Sequence, residues 1–279
     1  MQGLVNNIKY NMIQNKKIDI LYSVLIHDSP ECLMDLVDNV IHFNAGYNIK
    51  IVVNSSPLIY QQINGLKFPD EVLLNPLPKD KIKYSYDILE GHINNFIFCE
   101  SLNFKYYIPL ASNCMFFKQM HMKNISNLEC QEPKEYSSSP MNPHIIPMLE
   151  TPFIVETLNA MEIKIYDLHR FHEGVFYTKE QYNAIKSFLV DSGIHNCAKV
   201  KFIAEETLLP ILEMNLFGKM LPTVFSMRLP DEDMERHMER AGNKKNVCII
   251  KPIERVLNCQ AREYLRNIIK NEANQRKNQ

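Results

Sequence analysis

Apolar positions along this chain alternate between two rhythms, one of strands and one of helices. Residues 18–26 (Ile-Asp-Ile-Leu-Tyr-Ser-Val-Leu-Ile) form a nearly continuous apolar run. That is the pattern of a strand buried on both faces, as in a parallel sheet. Leu33, Leu36, Val37, Val40 and Ile41 then recur at helical spacing. Ser29 is placed to cap that helix, with Pro30 at its first position and the acidic Glu31 next. Residues 49–53 are a second short apolar run. The chain therefore opens strand–helix–strand, the start of a right-handed βαβ unit.

The same reading predicts a strand at 72–74. A helix follows over 85–101, with Ile88, Leu89, His92, Ile93 and Phe96 on one side, and then a central strand at 104–110. Residues 120–152 are rich in Pro, Ser and Asn and show no period, which predicts a long loop of functional or mobile character. Beyond it come a helix at 152–161, strands at 163–166 and 175–177, and a helix capped by Thr178 and running to about 190. A helix at 205–216, a strand at 223–227, an exposed charged stretch at 231–240, a strand at 247–250 and a helix at 260–274 complete the chain. The expectation is an α/β fold: a mostly parallel central sheet flanked by helices, in a single domain over 18–270. Residues 1–17 read as an N-terminal extension and 271–279 as a frayed tail.

Composition narrows the function classes. At 46% hydrophobic over 279 residues, the chain can bury a full core. Its net charge of −1 gives no bulk field for nucleic acid, which is not expected as a partner. The seven Cys are scattered without a CxxC pair, a pattern of reduced thiols rather than a disulfide frame or zinc site. Cys114 reads as packing. No apolar run is long enough to cross a membrane, and residues 1–17 lack the apolar core of a signal peptide. The expected location is cytoplasmic. The basic C-terminal region (Lys251, Arg255, Arg262, Arg266, Lys270) allows peripheral contact with the inner face of an anionic membrane.

No GxGxxG, Walker, HExxH or GxSxG motif is present, and Gly is scarce. A bound phosphate must then be held by side chains. Lys251, Arg255 and Arg262 surround one strand-to-helix connection and together suit a diphosphate without a metal; a solvated basic helix face is the plainer alternative. Polar clusters fall at three expected strand ends: His27-Asp28, Asn54-Ser55-Ser56 and Ser112-Asn113. Ligands of open α/β sheets sit at such ends. In His169-Arg170-Phe171-His172-Glu173-Gly174, the His169, His172 and Glu173 side chains suit either a metal or sugar hydroxyls. Gly174 permits close approach of a sugar or of backbone. Asp231-Glu232-Asp233 is a literal DxD, able to hold a divalent cation against a diphosphate, within a run that otherwise reads as solvated. Glu205 and Glu206 open a helix and point about 100° apart. One is expected to face solvent and favour the helix dipole, and the other to face a cleft as a general base.

The order of these features resembles the core-2/I-branching β-1,6-N-acetylglucosaminyltransferases. Ile26-His27-Asp28-Ser29-Pro30-Glu31 is similar to that family's opening strand ending in Ala-His-x-x-Pro-Glu. Tyr106-Tyr107-Ile108-Pro109-Leu110-Ala111-Ser112-Asn113 is similar to its strand ending in Leu-Ser-Gly-Ser-Asp. Residues 175–185 resemble its Phe-x-x-Ser-Arg joint, Ala204-Glu205-Glu206-Thr207 its Pro-Asp-Glu motif, and 247–251 with the following basic residues its C-terminal region. The chain departs at Asn113, Ala204 and Glu205, and it has no Trp.

The resemblance implies a GT-A fold, with a nucleotide-binding half at about 18–113 and an acceptor and catalytic half at about 150–270. It implies an inverting, metal-independent transfer with no cofactor. The sugar, N-acetylglucosamine or a related hexose, would move from a nucleotide-diphosphate donor such as a UDP-sugar to a glycan or glycolipid. Glu206 would be the general base, with Glu173 its rival. His27, Asn54, Lys251, Arg255 and Arg262 would bind nucleotide and diphosphate, and Ser112, Asn113, His172, Glu173 and Gly174 would line the sugar pocket. A metal-dependent DxD transferase using Asp231 and Asp233, or a non-catalytic nucleotide-sugar or glycan-binding module, are the alternatives.

Overall fold

The computed structural model describes residues 17–26, 29–78, 86–122, 143–194, 202–226, 234–243, 247–251 and 253–277. The chain opens with β1 (Ile18–Ile26), α1 (Pro30–Phe43), β2 (Ile49–Ser55), α2 (Pro57–Ile63) and β3 (Val72–Leu74). Next come α3 (Asp87–Phe98), β4 (Phe104–Ala111), β5 (Met115–Phe116), α4 (Ile146–Leu149) and α5 (Pro152–Ala160). Then follow β6 (Tyr177–Thr178), α6 (Lys179–Asp191), α7 (Ala204–Phe217), β7 (Phe225–Ser226), α8 (Met234–Gly242), β8 (Ile249–Ile250) and α9 (Gln260–Lys277).

The main sheet has the order β3-β2-β1-β4-β6. Its first four strands are parallel, and β6 runs antiparallel to β4. The α/β class, the mostly parallel sheet and the flanking helices are thus as expected. The strand order reverses at β1, so the crevice between the carboxyl ends of β1 and β4 is the switch point of the topology. A small second sheet, β5-β8-β7, continues from the end of β4. It sets residue 251 just past the end of β4, beside β5.

Both faces of β1 are covered, which explains its unbroken apolar run. Ile20, Tyr22, Val24 and Ile26 pack with Leu33, Leu36, Val37 and Val40 of α1. Leu21 packs on the other side with Leu89, Ile93 and Phe96 of α3. Local chemistry fixes the helix starts. The Ser29 hydroxyl caps α1 by accepting from the Cys32 N–H, and Thr178 with Gln181 forms a capping box on α6. Asn39 acts as an extra strand partner, exchanging two hydrogen bonds with the Phe116 backbone (2.9 and 2.7 Å) and so seating β5 on α1.

Three expectations give way. Residues 163–166 form no strand, because the Asn215 carboxamide takes both the N–H and the carbonyl of Lys164 (2.9 and 2.8 Å). Val175 makes only an isolated bridge to Thr223, and the strand there is β6. The terminal helix runs on to Lys277, past the expected start of fraying. No helix among the described residues is long and apolar enough to cross a membrane.

Candidate active site

Two segments far apart in sequence are docked at the carboxyl end of β4. The first is 169–174. The Gly174 N–H donates to the Pro109 carbonyl (2.9 Å), and the Gly174 carbonyl accepts from Val224 (3.0 Å). Gly174 has φ +72°, a left-handed conformation that side chains disfavour. Both of its backbone groups are engaged by backbone partners.

The second segment is α7, buried continuously from Ala204 to Met214. Pro210 lies inside it. Proline has no N–H, so the Glu206 carbonyl, four residues earlier, loses its helical partner. The Arg170 N–H takes that place at 3.0 Å. The Arg170 guanidinium then donates to both oxygens of Glu213 (2.5 and 2.6 Å) and to the Leu221 carbonyl (2.6 Å). The Tyr177 hydroxyl (2.8 Å) and the Leu221 N–H (2.7 Å) complete the Glu213 carboxylate. One proline and one buried ion pair thereby lock the two segments together.

The docking brings the two rival bases to one place. Donor atoms of His172, Glu173 and Glu206 all lie within 4.8 Å of one another, a spacing a divalent cation can use. Lys251, just past β8, donates to Glu173 Oε1. Glu206 Oε2 lies 2.9 Å from His169 Nε2, and the His169 ring stacks on His144 with centroids 4.3 Å apart.

Burial opposes ionisation of Glu173, but His172 and the Lys251 ammonium outweigh it and hold the carboxyl below its ordinary range. Burial likewise opposes the Lys251 charge, and Glu173 outweighs it and lifts the amine above its usual value. The His172 imidazole is pushed down by burial, with Lys251 adding to the push against Glu173 and Glu206. The pair is therefore carboxylate and ammonium beside a neutral imidazole. Burial pushes the nearby Cys114 thiol up to about 12, which agrees with a packing role.

Glu205 is not the solvent-facing charge expected from its position. It is only 6% exposed, against 7% for Glu206, because α7 is covered nearly all round. Burial raises its carboxyl well above the ordinary range, and Glu206 and Glu173 add to the effect. A neutral Glu205 contributes no charge to the helix dipole.

Arg262 is also placed otherwise. It is fully buried. It donates to Asp35 (2.7 Å) and to the carbonyls of Ser112 (3.1 Å) and Glu254 (3.0 Å). Its role is to tie α9 to α1 and to the end of β4, which leaves it no open face for a diphosphate. Arg255 is exposed, and its charge reaches Cys114 together with those of Glu173 and Lys251. His27, Asp231 and Asp233 lie outside the described residues.

The other expected residues stand at strand ends. Asn54 and Ser55 close β2, where Asn54 Oδ1 and Ser55 Oγ are buried without a hydrogen-bond partner. Asn113 Oδ1, after β4, is in the same condition, as are His172 Nδ1, Glu173 Oε2 and Glu205 Oε2. Buried polar atoms seldom lack partners, and a group of them at the ligand-binding edge of a sheet marks capacity for a polar ligand. Ser112 is buried, and its carbonyl serves Arg262.

Behind the carboxylates lie residues whose positions in the sequence mark them only as core. His172 Nε2 meets His92 Nε2 at 3.2 Å, His92 Nδ1 meets Ser23 Oγ at 2.8 Å, and Asn95 Nδ2 donates to Ser23 Oγ at 3.0 Å. The available signal was His92 and Asn95, three apart on an apolar helix face, with Ser23 in an otherwise apolar strand.

No family model matches the chain, and no curated protein matches it.

A cleft of about 780 Å³ opens beside this edge, lined by Ser29, Glu31 and Met34 at the start of α1 and by Ser56, Ile59 and Gln62 on the α2 side. Neither the carboxylates nor Lys251 lines it. It lies beyond the ends of β1 and β2, whereas the charged cluster sits at the end of β4.

Proposed function

We propose that the protein is an inverting glycosyltransferase that moves a hexose from a nucleotide-diphosphate donor to a glycan or glycolipid hydroxyl without a metal. The observation that carries this reading is the convergence of Glu206 and Glu173 beside Lys251 at the carboxyl end of β4 in a mostly parallel sheet. Glu206 is the base. Of the two carboxylates it alone keeps free of the ammonium, and His169 orients it. It takes the proton of the acceptor hydroxyl as that oxygen attacks the anomeric carbon. The bond from that carbon to the diphosphate breaks, and the diphosphate leaves with the electron pair. Lys251, held by Glu173, and the exposed Arg255 stabilise the charge that develops on it. The nucleoside end extends toward the cleft between α1 and α2, and Asn54 and Asn113 offer carboxamide oxygens to ligand hydroxyls. This arrangement favours the GT-A assignment implied by the family resemblance.

A second reading is supported by the same cluster: a metal-dependent transferase in which His172, Glu173 and Glu206 hold a divalent cation against the diphosphate. One experiment separates these. Turnover of a panel of nucleotide sugars is measured in excess chelator, for the wild type and for Glu206→Ala. Metal-free transfer predicts turnover that survives the chelator and falls by orders of magnitude in the variant, with donor binding retained. Full loss in chelator would select the metal reading. A non-catalytic binding module would bind donor and turn over none.

A further inference from the structure

The polar chain behind Glu173 takes its direction from its outer end, where it faces a carboxylate. At the inner end, Asn95 Nδ2 can only donate, and it points at Ser23 Oγ (3.0 Å). At the outer end, His172 Nδ1 faces Glu173 Oε2 at 3.6 Å, just beyond hydrogen-bond length, and neither atom has a hydrogen-bond partner. Both rings are buried, and they meet edge-on with centroids 5.1 Å apart.

With both rings neutral, two arrangements satisfy the nitrogen pair between them. In one, Ser23 donates to His92 Nδ1, His92 Nε2–H donates to His172 Nε2, and His172 Nδ1–H faces Glu173. In the other, every proton is reversed, and a lone pair of His172 Nδ1 faces the lone pairs of a carboxylate. The second places like charge density together in a buried site, where it is least screened. A divalent cation between His172 and Glu173 would relieve it, but the Lys251 ammonium already sits on that carboxylate, and two cations at such range repel.

We propose that Asn95, Ser23, His92 and His172 form a one-directional donor chain whose last N–H is directed at Glu173, and that His92 and His172 are positioning residues for the Glu173–Lys251 pair. The chain runs from the middle of β1, through α3, to the charged site. It holds the Glu173 carboxylate in one orientation, and through it the lysine that faces the leaving diphosphate. The functional part of this inference rests on the transferase reading; the proton arrangement does not.

The test is long-range ¹H–¹⁵N correlation of the imidazoles in the full, labelled chain at neutral pH, with assignments from His92→Gln and His172→Asn. The proposal requires a neutral His172 protonated at Nδ1, the less common tautomer of a free imidazole, and His92 protonated at Nε2. His172 found protonated at Nε2, or cationic, overturns it. So does stoichiometric binding of Zn²⁺ or Mn²⁺ that shifts the His172 resonances. Once a donor is found, Ser23→Ala should lower kcat about tenfold with little change in KM. His92→Gln, which keeps a donor and an acceptor, should retain more activity than His92→Leu. Equal losses in those two variants count against positioning. A chain that shows the stated tautomers but turns over no nucleotide sugar sinks the transferase reading and leaves the proton arrangement standing.

Discussion

Two buried ion pairs lie within one small region and are built to opposite specifications. The Arg170–Glu213 pair has a closed carboxylate: each Glu213 oxygen accepts two hydrogen bonds, from Arg170 and Tyr177 on one side and from Arg170 and Leu221 on the other, while Arg170 Nε has no hydrogen-bond partner. Lys251–Glu173 is open: Glu173 Oε2 has no hydrogen-bond partner, and His172 Nδ1 and Asn113 Oδ1 are in the same condition. Lys251 itself keeps a part-exposed side chain. A closed carboxylate has spent its accepting capacity on the fold. An open one retains capacity for something absent from the chain. The difference separates scaffold from site more sharply than burial does, because both carboxylates are equally buried.

The contrast makes unequal demands on the two pairs. Glu213→Ala strands the Arg170 guanidinium in a buried setting and should destabilise the fold by about 3–5 kcal/mol. Denaturant melts read this directly, and a loss below about 1 kcal/mol would remove the scaffold role. Lys251→Met strands the fully buried Glu173 carboxylate and so also costs stability, but in the folded protein it should in addition lower kcat by about 10²–10³, the effect of removing one preorganised donor to a developing anion. Unchanged turnover in that variant would take the diphosphate role away from Lys251. Pro210→Ala restores an N–H that competes with Arg170 for the Glu206 carbonyl. It should stabilise α7 while lowering activity about tenfold. A gain in stability with full activity would show that the proline does not position the site.

The smallest effect concerns pH. Glu205 has a raised carboxyl, so its burial costs nothing below the ordinary value near 4.5. That cost grows as pH rises above 4.5, since the unfolded chain then ionises and the folded one does not. Glu205→Gln should therefore stabilise the protein increasingly above that pH and be neutral below it. Glu173 has the opposite sign. Its carboxyl is depressed, so its contribution is present above the unfolded value and is lost as pH falls through the folded one. Melting curves across pH for Glu205→Gln against wild type give the check; a difference that shrinks with rising pH would refute the buried, neutral acid.

Much of the frame was legible because it is local. The run at 18–26, the Ser29-Pro30 start and the Thr178 cap each carry their own signal within a few residues, and β1, α1 and α6 follow. Glu206, Glu173 and Lys251 were legible as residue types suited to the chemistry. What brings them together was not. The docking depends on a carbonyl freed by Pro210 and taken by a residue 36 positions earlier in the chain, Arg170, whose N–H meets Glu206. Arg262 looked like a phosphate ligand because its partner, Asp35, is 227 residues away. Glu205 looked exposed because adjacent positions on a helix face different ways, but α7 is covered on nearly every side. Residues 163–166 alternate like a strand, yet one carboxamide, Asn215, claims the backbone a neighbouring strand would have used.

The open pair has a decisive measurement. Wild type and Glu206→Gln are compared for binding and turnover of the same nucleotide sugar, by calorimetry and product formation, in excess chelator. Metal-free transfer with Glu206 as base predicts equal donor affinity in the two proteins, persistent turnover in the wild type, and a loss of about 10²–10⁴ in kcat in the variant. Donor bound by both proteins with identical turnover, or no turnover in the wild type until a divalent cation is restored, would contradict it.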